Sequence, residues 1–183
     1  MPRDRDAVAL ELLAVRCRRG DRDAFEELIR TWEERLLYFI RRIVRSEADA
    51  WDILQKSWLR VLKGIRTLDD PKKIRPWIYR IVRNVALTHT RMRGSQPDNF
   101  VEEANEVEDE SVDRFEFENA ELVHRGLEIV SQPHREVLTL VFLEDMTIDE
   151  VSFVLGLPAG TVKSRIHYAK RSLRIAIERA GGL

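Results

Sequence analysis

Cys17 is the only cysteine among 183 residues, so the chain can form no intramolecular disulfide and no all-cysteine metal site. No apolar run reaches the ~20 residues a membrane-spanning helix needs. The opening Met-Pro-Arg-Asp-Arg-Asp is charged and leads into a short apolar stretch broken by Glu11 and Arg16, unlike a signal peptide. These absences predict a cytoplasmic protein with no membrane insertion. Glycine-rich phosphate loops and nucleophile motifs are missing too. The histidines His89, His124, His134 and His167 are scattered without metal spacing, and Asp69-Asp70 reads as a turn rather than a metal site. Neither catalysis, a cofactor nor a bound metal is expected.

Strict apolar–polar alternation is absent as well, which argues against strands, while apolar residues recur at helical spacing almost everywhere outside one segment. The fold expected is all-α. The exception is the stretch from Gln96 to Glu121, where eleven acids face Arg114 alone. Subtracting that segment's −10 from the whole-chain net charge of −1 leaves +9 on the rest. A nearly neutral protein therefore hides basic domains, and a nucleic-acid partner is not excluded.

Breaker-rich Gly94-Ser95-Gln96-Pro97-Asp98-Asn99 marks a domain boundary. The expected organisation is a helical domain over residues 1–95, an acidic flexible linker over 96–118, and a smaller helical domain over 119–183. In the first domain, a short helix from Ala7 to Arg18 should close at Gly20. A second should start at an Asp23/Glu26 capping box and bury Phe25, Leu28, Ile29, Trp32, Leu36, Ile40 and Ile43. Ser46 starts a third, whose stripe of Trp51, Leu54, Trp58, Val61, Leu62 and Ile65 makes both tryptophans core residues. Pro76 suits the first turn of a fourth helix, with Trp77, Ile81, Val82, Val85 and Ala86 inward.

The sharpest local signal lies in the second domain. Thr147 and Glu150 have capping-box spacing, Gly156 permits a reversal, and a further short helix follows Gly156-Leu157-Pro158. That is the layout of a helix-turn-helix. With Val162, Ile166, Ala169 and Leu173 inward, Ser164, His167, Tyr168 and Arg171 turn outward, flanked by Lys163, Arg165, Lys170 and Arg174. Such a face suits a major groove, its leading half toward base edges and its trailing cations toward phosphates. Thr161, Lys163, Ser164, Arg165, His167, Tyr168 and Arg171 are the expected DNA contacts.

A second basic block, Lys72, Lys73, Arg75, Arg80, Arg83, Arg91 and Arg93, contains no acid from Pro71 to Arg93 and is interleaved with Trp77 and Tyr79. Cations beside aromatics suit an unpaired strand, whose phosphates follow charge and whose bases stack on rings. A solvated helix with a buried tryptophan has the same composition, so the block alone leaves both readings open.

Together these residues resemble the extracytoplasmic-function sigma factors of bacterial RNA polymerase. The C-terminal strings Gln132-Pro133-His134-Arg135-Glu136-Val137-Leu138, Thr147-Ile148-Asp149-Glu150-Val151 and Gly160-Thr161-Val162-Lys163-Ser164-Arg165-Ile166-His167 are similar to the family's region four, which reads the minus-thirty-five element. Gly20-Asp21-Arg22-Asp23-Ala24-Phe25, Asp52-Ile53-Leu54-Gln55 and Trp77-Ile78-Tyr79-Arg80-Ile81-Val82-Arg83-Asn84 are similar to region two. The resemblance implies that the helix around Asp52 to Leu62 binds core polymerase, through Asp52, Leu54, Gln55 and Leu59. It implies that Lys72, Lys73, Arg75, Trp77, Arg80, Arg83 and Asn84 hold and open the minus-ten element. It also implies an anti-sigma protein as a partner, and a linker threading toward the polymerase active-site channel. Two positions depart from the family's usual pattern: Lys56 stands where an acid is usual, and Thr88 where aspartate is usual.

A stand-alone helix-turn-helix regulator with an N-terminal protein-interaction domain would share the DNA-binding helix but need no polymerase-binding surface. A DNA-modifying enzyme would need a carboxylate or nucleophile cluster that the sequence does not display.

Overall fold

The computed structural model describes residues 2–94 and 120–181; the expected acidic linker, 96–118, lies outside them. The described residues are helical, without a strand, and the chain divides into two compact units at Gly94.

The first unit contains α1 (Pro2–Arg18), α2 (Arg22–Arg41), α3 (Glu47–Gly64) and α4 (Ile74–Met92), with 3-10 turns at Ile65–Thr67 and Pro71–Lys73 before α4. Gly20, at φ +85°, ends α1 in the left-handed conformation that glycine adopts without a Cβ penalty. The chain reverses so abruptly there that α2 begins earlier than an Asp23/Glu26 box would allow. Its cap is Asp21, whose carboxylate accepts the Ala24 N–H at 3.0 Å and the Arg16 Nε–H at 2.9 Å. Those bonds, the backbone one first, hold the Asp21 carboxyl below its ordinary range. Ser46 caps α3 by accepting the Asp49 N–H, and Asp70 caps the turn before α4 by accepting the Lys72 N–H.

Four aromatics, Trp32, Phe39, Trp58 and Tyr79, are set into the largely aliphatic core of this unit. Tyr79 is fully buried, its ring edge-on to Phe39 at 5.1 Å and to Trp32 at 6.2 Å, while Phe25 meets Trp58 at 6.1 Å. Edge-to-face pairs of this kind add about 0.5–1.5 kcal/mol each beyond the area they bury. Four inward assignments on α2 and α4 need correction. Trp77 and Ile81 are only half-buried, and the α4 core face is instead Ile74, Ile78, Tyr79, Val82, Val85 and Ala86. On α2, Ala24, Leu37 and Phe39 join the core while Phe25 and Ile29 stay half-buried.

The second unit contains α5 (Ala120–Ile129), α6 (Gln132–Leu138), a π turn (Thr139–Leu143), α7 (Ile148–Leu155) and α8 (Ala159–Gly181). A helix expected from His134 to Phe142 is thus a short α-helix loosened into a π turn. The last helix, expected to be short, runs 23 residues. Its length has a packing cause: Leu173 and Ala176, beyond the reading half, are buried, and α5 lies so close that a Cβ on Gly126 would come within 2.7 Å of Leu173 Cδ1 and 3.0 Å of Ile177 Cγ1. Burial continuing as far as Ala176 supports the helix well beyond its second turn.

Candidate nucleic-acid interface

The turn between α7 and α8 is built as its residues dictate. Thr147 Oγ1 accepts the Glu150 N–H at 3.2 Å, and the Glu150 carboxylate accepts the Thr147 N–H at 2.8 Å, a complete capping box. Gly156 sits at φ +68°, and the N–H groups of Gly156 and Leu157 both return to the Ser152 carbonyl. The Ser152 hydroxyl donates to the Leu157 carbonyl, tying the turn from its other side. Two helices are thereby set at a fixed angle, with Pro158, Ala159 and Gly160 exposed at the start of α8.

Along α8 the expected inward residues Val162, Ile166, Ala169 and Leu173 are all buried. Lys163 and Arg171 are exposed, and Thr161, Ser164, Arg165, His167 and Tyr168 are half-buried. The helix carries six cations and the single acid Glu178, a charge balance suited to a phosphate backbone. Not every member is equally available. Ser164 Oγ donates to the Thr161 carbonyl at 3.0 Å, engaging its proton within the helix. Lys170 lies over the Phe142 ring at 5.5 Å, a cation–π contact that fastens α8 to the π turn. His167 and Tyr168 meet edge to face at 5.4 Å, which orders two rings side by side on the surface.

The basic block in the first unit divides by geometry. Lys72 and Lys73 are exposed on the turn before α4. Trp77, Arg80 and Asn84, at helical positions i, i+3 and i+7, share a face on which Arg80 and Asn84 are exposed and Trp77 is half-buried. Arg83 is half-buried beside them, and Arg75 is half-buried on another flank of α4. Tyr79 leaves the set, because it is core. Arg93 is turned back to α3, its guanidinium 2.8 Å from Asp49. Arg91, seven residues after Asn84 and exposed, extends the face by two further turns; that spacing was available in the sequence.

On α3 the structure separates one of the four residues implied to contact a protein partner from the other three. Leu59 is 58% exposed and Gln55 is exposed, but Leu54 is 1% exposed and belongs to the core, so it cannot touch a partner. Asp52, Gln55 and Leu59, at i, i+3 and i+7, share one face of the helix, and Leu54 points away from it. Asp52 is partly exposed. Its carboxylate is held below the usual range first by its bond to Lys56, with the charges of Lys56, His89 and Arg93 adding. Trp51, 42% exposed, and Leu62, 50% exposed, also share a face with Gln55 and Leu59. Trp51 is thus a surface residue rather than a core one. Its indole N–H donates to Glu47 at 3.1 Å, and the Glu47 carboxylate in turn binds Arg41. Trp58, seven residues on, is buried as expected.

Comparison with known proteins finds the model for Sigma-70 region 2 over residues 28–96 and that for Sigma-70, region 4 over residues 126–174. The chain is 25% identical over 173 residues to the ECF RNA polymerase sigma factor SigW of Bacillus subtilis (strain 168), spanning 86% of this chain and 90% of that one. It is 28% identical over 183 residues to the RNA polymerase sigma-H factor of Pseudomonas aeruginosa, spanning 91% and 92%. Among solved structures it resembles CnrH in complex with the cytosolic domain of CnrY, with TM-score 0.64 and 20% identity over 93% of this chain and 98% of that one. It also resembles the sigma factor RpoE in complex with the anti-sigma factor NepR from Bartonella quintana, with TM-score 0.65 and 17% identity over 84% and 96%.

Proposed function

The chain belongs to the extracytoplasmic-function sigma factors of bacterial RNA polymerase, and from that premise we propose how its two units divide the work of promoter-directed initiation. The protein directs promoter-specific transcription by binding core RNA polymerase. In our reading the exposed α3 face of Trp51, Asp52, Gln55, Leu59 and Leu62 docks on the core enzyme. Lys72, Lys73, Trp77, Arg80, Arg83, Asn84 and Arg91 hold the opened minus-ten strand, cations on its phosphates and the indole against its bases. Arg75, on another flank, contributes charge rather than contact.

The second unit reads the minus-thirty-five element as duplex. Its α8 enters the major groove with Thr161, Lys163, Arg165 and His167 toward base edges and Arg171 and Arg174 toward phosphates. Ser164 serves chiefly the helix itself. The protein has no catalytic step of its own; polymerase supplies the chemistry, and the site of action is the cytoplasm. An anti-sigma protein is a natural regulator, since CnrH and RpoE were each solved with a bound partner. The acidic residues between the units mimic nucleic acid in the polymerase channel.

One observation carries this reading: both sigma-70 regions lie in one chain in the order of function, and the second bears the cation-rich helix α8. A stand-alone regulator would have no use for the first. The test is transcription in vitro with purified core enzyme, followed by sequencing of the RNA 5′ ends. Initiation at a common promoter pattern is expected; initiation no different from core alone would refute the proposal.

A further inference from the structure

Gly64 ends α3 at φ −93° and ψ −16°, torsions open to any residue, so the requirement for glycine here is not conformational. It is spatial. A Cβ at this position would lie 3.1 Å from Cζ2 and 3.4 Å from Cη2 of Trp77, against the benzo edge of the indole. The backbone beneath that edge is also pinned, because the Thr67 hydroxyl donates to the Gly64 carbonyl at 2.8 Å. An indole is rigid, so the added methyl group would push the ring, or the backbone beneath it, by a few tenths of an ångström.

We infer that Gly64 is a positioning residue for Trp77: the bare end of α3 is the seat on which the indole rests, and that seat sets how the ring is presented beside Arg80 and Asn84. The inference rests on the proposed roles of α3 and α4. It adds that the helix offered to polymerase also aims the ring offered to the opened strand. Nothing in the composition of the basic block points to Gly64, which stands thirteen residues before Trp77.

The test compares Gly64→Ala, Trp77→Phe and the double variant. In the free protein labelled with fluorotryptophan, Gly64→Ala should shift the fluorine resonance that Trp77→Phe abolishes. With reconstituted holoenzyme on a promoter that the wild type opens, permanganate footprinting should show about tenfold less open complex for Gly64→Ala, the size expected of directly coupled neighbours. Core affinity should be unchanged. The smaller phenyl ring clears the methyl group, so the double variant should open DNA as well as Trp77→Phe alone. An unmoved resonance overturns the inference. So does an opening defect that persists undiminished in the double variant, or one accompanied by equal loss of core binding. If the wild-type holoenzyme opened no promoter, the functional proposal would fall while the resonance still decided whether the seat exists.

Discussion

On α3 the Lys56 ammonium lies 2.6 Å from the Asp52 carboxylate, one helical turn back. The residue that departs from the family's usual acid therefore occupies the neighbouring acid, and a cationic surface approaching Asp52 must compete with a cation already in place. Intrahelical pairs of this kind are weak, so the competition is modest. Lys56→Ala should tighten binding to core polymerase about twofold and make it more sensitive to salt. Competition binding at two ionic strengths checks this; a loss of affinity would mean that Lys56 itself makes the contact.

Leu54 and Leu59 should respond in opposite ways. Leu54→Ala removes a core side chain and should cost about 2–5 kcal/mol of stability, seen as a lower thermal midpoint of the first unit. Leu59 is mostly exposed, and Leu59→Ala should leave that midpoint unchanged within about 0.5 kcal/mol while weakening core binding. Equal melting of the two variants would contradict the burial pattern of α3.

On the second unit, Lys163→Ala should weaken binding to minus-thirty-five duplex by about 1–3 kcal/mol if the side chain reads a base. Arg171→Ala should weaken binding to all sequences alike and reduce the slope of log affinity against log salt by about 0.9. Ser164→Ala should do little to DNA binding, because its hydroxyl already donates to the Thr161 carbonyl. Titrations on specific and scrambled duplexes separate the three cases.

Burial pushes the Cys17 thiol up to about 11, with Asp21 adding to the effect and Arg16 opposing it. A thiol so shifted is a poor nucleophile at neutral pH, so alkylation by iodoacetamide should track unfolding of the first unit. Unfolding also releases the proton more readily, since an unfolded thiol ionises near its ordinary value. The stability Cys17 contributes is therefore intact below about pH 8.5 and lost as pH rises toward 11. Denaturation curves should show an alkaline loss that is smaller in Cys17→Ala; identical curves would show that burial does not shift the thiol.

The elements whose register is written in strong local chemistry were legible in advance. The Thr147–Glu150 cap and the Gly156 reversal are interactions within a few residues, and the Val162, Ile166, Ala169 and Leu173 stripe keeps regular helical spacing over three turns. What periodicity could not say is how far along a helix its neighbours reach. Trp51 and Trp58 lie on the same side of α3, yet only Trp58 is buried, while Trp51, nearer the start of the helix, finds Glu47. Interleaving in sequence misled for a related reason. Trp77 and Tyr79 are two residues apart, hence roughly 200° apart around α4, and only Trp77 can serve the basic face. Gly64 was illegible because its meaning depends on the ring of a different helix.

The 23-residue α8 is both the helix proposed to enter DNA and the spar against which α5 is laid, with Gly126 bringing that helix almost onto Leu173 and Ile177. No joint separates the handle from the blade. Packing at Leu173 and Ile177 and the proposed reading residue Lys163 therefore belong to one uninterrupted helix, so a larger side chain at Gly126, which must displace that helix or α5, would be felt at both ends of α8.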